Sequence, residues 1–92
     1  MNLEREEGLA LVSEVLSKLP KDNNIEIVFA PCFLYLYKIA KMCNNFDNVF
    51  LAAQNCSKEV KGAFTGEVSA EMISSSNGDY VLIGHSERRE FF

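Results

Sequence analysis

The chain has 92 residues and a mass of 10.3 kDa, is 48% hydrophobic and 24% charged, and so has an ordinary globular composition that argues against disorder or low complexity. Nine Lys and Arg against thirteen Asp and Glu leave a net charge of −4 with no basic cluster, which argues against nucleic acid as the main partner because phosphate neutralisation needs clustered cations. No apolar run approaches the roughly 20 residues of a transmembrane helix, and Met1-Asn2-Leu3-Glu4-Arg5-Glu6-Glu7 has neither the basic start nor the apolar centre of a signal peptide.

Residues 3–19 read as a helix, because Leu9, Val12, Leu16 and Leu19 recur at spacings of 3, 4 and 3 and Val15 widens their face. Glu4, Glu6 and Glu7 at its start and Lys18 near its end suit the helix dipole, and Pro20 stops it. Residues 25–30, Ile-Glu-Ile-Val-Phe-Ala, predict a strand buried mostly on both faces and ended by Pro31. A second helix is expected over 33–43, with Leu36, Ile39, Ala40 and Cys43 on one face, broken by Asn44, Asn45 and Asp47. Residues 48–54 form another apolar strand. The polar stretch 55–68 is long for a strand-to-helix connection and reads as a functional or mobile loop. Ser69 caps a short helix over 69–76 that turns Met72 and Ile73 inward, and Asn77-Gly78 terminates it. Residues 79–84 are a third apolar strand, and His85 to Arg89 lead into a further helix.

Helix and strand thus alternate, which is the pattern of parallel βαβ units in an α/β fold. Three such strands leave two apolar edges and a poorly covered face, so the chain reads as part of something larger. Cys32, Cys43 and Cys56, an odd number at spacings of 11 and 13 with no Cys-x-x-Cys, argue against a disulfide framework or a zinc site. They read as small buried residues of a protein in a reducing compartment.

The dinucleotide fingerprint and the phosphate-binding P-loop are both absent, and Gly62 and Gly66 follow no strand directly. His85 is the most informative residue, standing after a buried strand and before a helix, where parallel α/β folds gather reacting groups. A helix N-terminus disfavours the imidazolium form, and a neutral ring can donate a hydrogen bond to a carbonyl oxygen. By position alone His85 reads equally as a histidine satisfied within its loop. Ser86-Glu87-Arg88-Arg89 reads as an N-cap with a first-turn acid and surface arginines, and Glu67 as a solvated carboxylate. Phe64 and Thr65 at the loop tip suggest an apolar plug facing a partner.

Gln54-Asn55-Cys56, Gly62-Ala63-Phe64-Thr65-Gly66-Glu67 and Gly84-His85-Ser86-Glu87-Arg88-Arg89 together resemble the triose-phosphate isomerase family, and Ala30-Pro31 also fits. The resemblance covers essentially the whole chain and implies the N-terminal part, roughly two-fifths, of a single (β/α)8 barrel of about 250 residues. It implies that His85 is the electrophile toward the substrate's oxygens, with Ser86 and Glu87 supporting it. Thr65, with Phe64 beside it, then reaches toward the partner's site in a homodimer, and Glu67 and Arg88 pair across that interface. The implied reaction interconverts dihydroxyacetone phosphate and glyceraldehyde 3-phosphate in the cytoplasm, with no organic cofactor, metal, nucleic acid or membrane involved.

The family's first strand, with its Asn-x-Lys-Met-Asn motif, and its carboxylate base, lid and phosphate-binding loops have no counterpart in residues 1–92. Negligible catalysis is therefore expected of these residues alone. An alternative of another class is a non-catalytic barrel fragment acting as an association module through its unpaired sheet edges.

Overall fold

Helix and strand alternate along the chain in the predicted order. A computed structural model, which describes residues 1–20 and 24–92, contains α1 (Arg5–Ser17), β1 (Ile27–Phe29), α2 (Phe33–Cys43), β2 (Val49–Ala53), α3 (Ala70–Ser75), β3 (Tyr80–Val81) and α4 (Ser86–Phe91). The strands lie side by side in the order β1-β2-β3, all parallel, with Ile27 opposite Val49, Phe29 opposite Leu51 and Ala53 opposite Val81. Parallel neighbours need a crossover, which α2 and α3 supply. This α/β arrangement is the one expected of consecutive units of a (β/α)8 barrel.

Side chains alternate between the faces of a strand, so Val49, Leu51 and Ala53 point one way and all are buried. The stripe Leu36, Ile39, Ala40 and Cys43 of α2 is buried as the helical spacing predicts. Val12 of α1, Ile39, Ala40, Cys43, Val49 and Leu51 make one apolar cluster, with Leu9, Leu16 and Leu19 packed against it. Leu36, Ala53 and Ile73 make a second, joined by Cys56, Val68 and Val81.

The other face of the sheet is open. Val28, Tyr80 and Leu82 are 46%, 48% and 43% exposed, and the edge-to-face contact of Phe50 with Tyr80, ring centroids 5.9 Å apart, shields part of it. The expectation that residues 25–30 are buried on both faces is therefore corrected: helices cover one face, while on the other only the central strand is sheltered, with Ala52 buried and Phe50 half-buried. β1 and β3 are shorter than 25–30 and 79–84, and Ile25 and Ile83 stand exposed beyond them. The first helix ends at Ser17 rather than 19, so Leu19 packs on the core from beyond the helix.

Two further expectations are corrected. Met72 points outward, 56% exposed, while its neighbour Ile73 is buried. Adjacent helical residues lie about 100° apart, so a helix as short as Ala70–Ser75 offers the core only one of them. Cys32 and Cys56 are only half-buried, and Cys43 alone of the three cysteines is buried. Cys32 sits at the N-cap of α2, and Cys56 lies in the loop after β2 with its Sγ donating to the Ser57 carbonyl at 3.2 Å.

Burial disfavours the thiolate and pushes the Cys43 thiol above its ordinary range. A thiol reagent at moderate pH is thus expected to modify Cys32 and Cys56 well before Cys43, which mass mapping of partly alkylated protein would check. The sign for stability follows from linkage. The unfolded thiol loses its proton first, so the small stabilisation from Cys43 is whole below the unfolded pKa and is lost as pH rises through the folded one.

The helix ends are made locally. The Glu7 carboxylate accepts the Glu4 backbone N–H at 3.4 Å, and Lys18 reaches Glu14 at 2.8 Å. As predicted, the Ser69 hydroxyl caps α3 by accepting from the Met72 N–H at 3.3 Å. Asn77 then takes a left-handed φ of 62°. Its N–H donates to the Ser74 carbonyl at 3.0 Å and that of Gly78 to the Ile73 carbonyl at 2.9 Å, the paired bonds of a Schellman ending.

Candidate active site

In an open parallel sheet, reactive groups collect where the strands' carboxyl ends meet the following loops. At this end β1 passes into Ala30-Pro31, β2 into Gln54-Asn55-Cys56, and β3 into Leu82-Ile83-Gly84-His85. The Gln54 side-chain amide donates to the Ala30 carbonyl at 2.8 Å, tying the exits of β1 and β2. The Leu82 N–H donates to the Ala53 carbonyl at 2.9 Å and ties β2 to the exit of β3. At the opposite end the Asp79 carboxylate accepts from the Leu51 N–H at 2.9 Å, and the Asp79 N–H donates to the Leu51 carbonyl at 2.8 Å. Both ends of β3 are thereby held against β2.

Gly84 turns the chain from strand to helix at a φ of +71°, a conformation that favours glycine. Arg89, one turn into α4, reaches back so that its Nε donates to the Gly84 carbonyl at 2.8 Å. A Cβ built on Gly84 would stand 2.8 Å from that guanidinium. Gly84→Ala is expected to cost about 1–2 kcal/mol for the left-handed backbone, with displacement of Arg89 besides. A urea unfolding midpoint would measure it, and an unchanged midpoint would show that the turn tolerates a side chain.

His85 is the N-cap of α4, and its Nδ1 accepts from the Glu87 backbone N–H at 3.3 Å. A backbone N–H can only donate, so Nδ1 must be unprotonated and the ring proton sits on Nε2. The Glu87 carboxylate also lies 3.8 Å from Nδ1, which would suit a protonated ring. The shorter contact has the better claim, since 3.8 Å is beyond hydrogen-bonding reach. The His85 side chain is half exposed, and Nε2–H is left as the ring's remaining donor. Ser86 and Glu87 form the first turn behind it, so the capping role expected at Ser86 belongs to His85.

The other predicted residues lie in the loop after β2 and further along α4. Phe64, Thr65 and Glu67 are exposed in the loop between β2 and α3, and the Glu67 N–H donates to the Phe64 carbonyl at 3.0 Å. The Arg88 guanidinium lies over the Phe92 ring at 4.6 Å. Among the described residues no ion pair joins Glu67 to Arg88 within the chain, and no group of three or more His, Cys, Asp or Glu is placed to hold a metal ion. No helix of the described residues is long and apolar enough to cross a membrane. A shallow hollow of about 320 Å³ lies at the far end of the sheet, lined by Leu16, Leu19, Phe46 and Asp47 among others, away from His85. The sequence singles out no role for Gln54 or Asp79 and reads Arg89 as a surface arginine. The available signal was a polar or charged residue abutting an apolar strand or following the His85 turn.

The sequence model of the family described as Triosephosphate isomerase matches residues 1–92. A triosephosphate isomerase of Flavobacterium psychrophilum is 41% identical over 92 residues, covering 100% of this chain and 36% of that relative. One of Clostridium perfringens is 46% identical over 87 residues, covering 95% of this chain and 34% of the relative. One of Phocaeicola vulgatus is 39% identical over 93 residues, covering 100% and 37% respectively. The chain therefore spans little more than a third of the length of these relatives, and over that span it belongs to the triosephosphate isomerase family.

Proposed function

We propose that the complete polypeptide carrying this segment interconverts dihydroxyacetone phosphate and glyceraldehyde 3-phosphate, with His85 as the electrophile. The reaction moves a proton on the carbon next to a carbonyl, so negative charge develops on the substrate's oxygens as the enediolate forms. The observation that carries the reading is the 3.3 Å bond from the Glu87 N–H to His85 Nδ1. It commits Nδ1 as an acceptor and leaves Nε2–H to donate to each developing oxyanion in turn. Gly84, Arg89 and the first turn of α4 aim the ring, with Ser86 and Glu87 as supporting residues. The base that takes the proton, a substrate-binding lysine and a phosphate cradle are assigned to the rest of the complete polypeptide.

The partner is a second copy. The exposed tip of Phe64 and Thr65 meets the partner's site, and Glu67 pairs with Arg88 across the interface. The enzyme works in the cytoplasm without an organic cofactor or metal. Conversion of glyceraldehyde 3-phosphate by the purified complete polypeptide tests the reading, and a folded protein without conversion would overturn it. Phe64→Ala is expected to shift that protein from dimer toward monomer in sedimentation, with little change in its circular dichroism.

The open sheet face of Val28, Tyr80 and Leu82 favours a second reading for residues 1–92 in isolation, as an association module without activity. That reading expects oligomers, and a stable dilute monomer would contradict it.

A further inference from the structure

The ending of α3 pairs two residues for geometric reasons and thereby creates a reactive dipeptide. Position 77 takes a φ of +62°, where asparagine is among the few residues tolerated besides glycine. Position 78 must be glycine, because a Cβ there would stand 2.5 Å from Cγ2 of Ile73 and 3.1 Å from the Ile73 carbonyl oxygen. Ile73 is the buried anchor of the helix, so it cannot give way freely. The outcome is Asn77 exposed to water and followed by the one residue that offers no side chain to obstruct attack on the asparagine amide.

We propose that Asn77 is a site of spontaneous deamidation held closed by the cap of α3. The backbone nitrogen of Gly78, on losing its proton to hydroxide, attacks Cγ of Asn77. The new N–Cγ bond closes a succinimide ring, the Cγ–Nδ2 bond breaks, and Nδ2 takes a proton and leaves as ammonia. Water then opens the ring at either carbonyl to give aspartate or isoaspartate, and nothing is oxidised or reduced. In the folded chain the attacking nitrogen is occupied, since the Gly78 N–H donates to the Ile73 carbonyl at 2.9 Å. Reaction must wait for that bond to open. A six-residue helix with one buried side chain belongs to the parts of a fold that open locally.

The product weakens the cap that delayed it. Either acid places a negative charge at the C-terminal end of a helix, the unfavourable end, and two residues from the Asp79 carboxylate that holds the Leu51 N–H at 2.9 Å. Isoaspartate also inserts a backbone carbon ahead of the Gly78 nitrogen, inside the turn that the Gly78–Ile73 bond closes, loosening the approach to the Asp79–Leu51 clamp and, through it, the strand that leads to His85. This inference is independent of the proposed activity.

The test compares rates at one mildly alkaline pH and temperature for the complete folded protein and for the same protein unfolded in urea. A short peptide spanning residues 76–79 in both solvents corrects for the effect of urea on the chemistry. Mass mapping of the peptide containing Asn77 follows loss of the amide, and chromatography separates the aspartate and isoaspartate products. Conversion roughly tenfold or more slower in the folded protein is expected from a closed cap. Ser69→Ala, which removes the bond capping the other end of α3, is expected to speed conversion in the folded state. Asn77→Asp, a mimic of one product, is expected to lower the thermal midpoint. Equal rates in folded and unfolded protein would remove the gate, and absence of conversion in the unfolded chain would remove the site.

Discussion

Replacing His85 by Gln in the complete polypeptide is expected to lower isomerase turnover by roughly 10²–10³-fold, the loss found when one preorganised donor to a developing oxyanion is removed. The direction follows from the geometry. Nδ1 is occupied by the Glu87 N–H at 3.3 Å, so the ring is held in one tautomer with a single free donor. Glutamine can offer an amide N–H, but its flexible side chain is not fixed by a cap bond to its own helix. The loss is expected in kcat and in kcat/KM alike, because the donor acts on charge that exists only as the enediolate forms. Steady-state kinetics on wild type and variant, with circular dichroism to confirm folding, would decide it. An unchanged rate would remove His85 as the electrophile while leaving the fold and family assignment untouched.

Ile39→Ala is expected to destabilise the fold by about 2–5 kcal/mol, as for other truncations of fully buried aliphatic side chains. Ile39 is 2% exposed and belongs to the cluster that joins Val12 of α1 to Val49 and Leu51 of β2. Its removal opens a void where two helices and the sheet meet, and helices anchored in the same cluster cannot close it without losing their other contacts. Leu11→Ala is the matched control, because Leu11 is 50% exposed on α1 and its truncation should fall near zero. Urea denaturation of the complete polypeptide measures both. Equal effects at the two positions would mean that the helices do not pack on the sheet as described.

Much of this architecture is legible in the order of residues. The stripe Leu36, Ile39, Ala40 and Cys43 predicts a helix over 33–43, and the helix found is Phe33–Cys43. Ser69 and Asn77-Gly78 mark the two ends of α3 because capping depends on residues within one turn of each other. The position of His85 after an apolar strand is likewise a local fact. Its role as the cap is not, because the same run of residues allows Ser86 to be read as the cap until the backbone turn at Gly84 is known.

The alternation of elements, the buried stripe of each long helix, the helix stops and the place of the histidine follow from the order of residues. All of these depend on neighbours within a few residues, where propensity, periodicity and capping act. That Gln54 bridges to Ala30 across 24 residues and Asp79 clamps Leu51 across 28 emerges only once the strands are side by side. The same holds for Met72 turning outward and for Cys32 and Cys56 staying half-exposed. The reason is that an apolar residue records a tendency to be buried but not which surface arrives to bury it. Strand register and the open face beside Val28 and Tyr80 settle that, and both are properties of elements that meet only when the chain has folded.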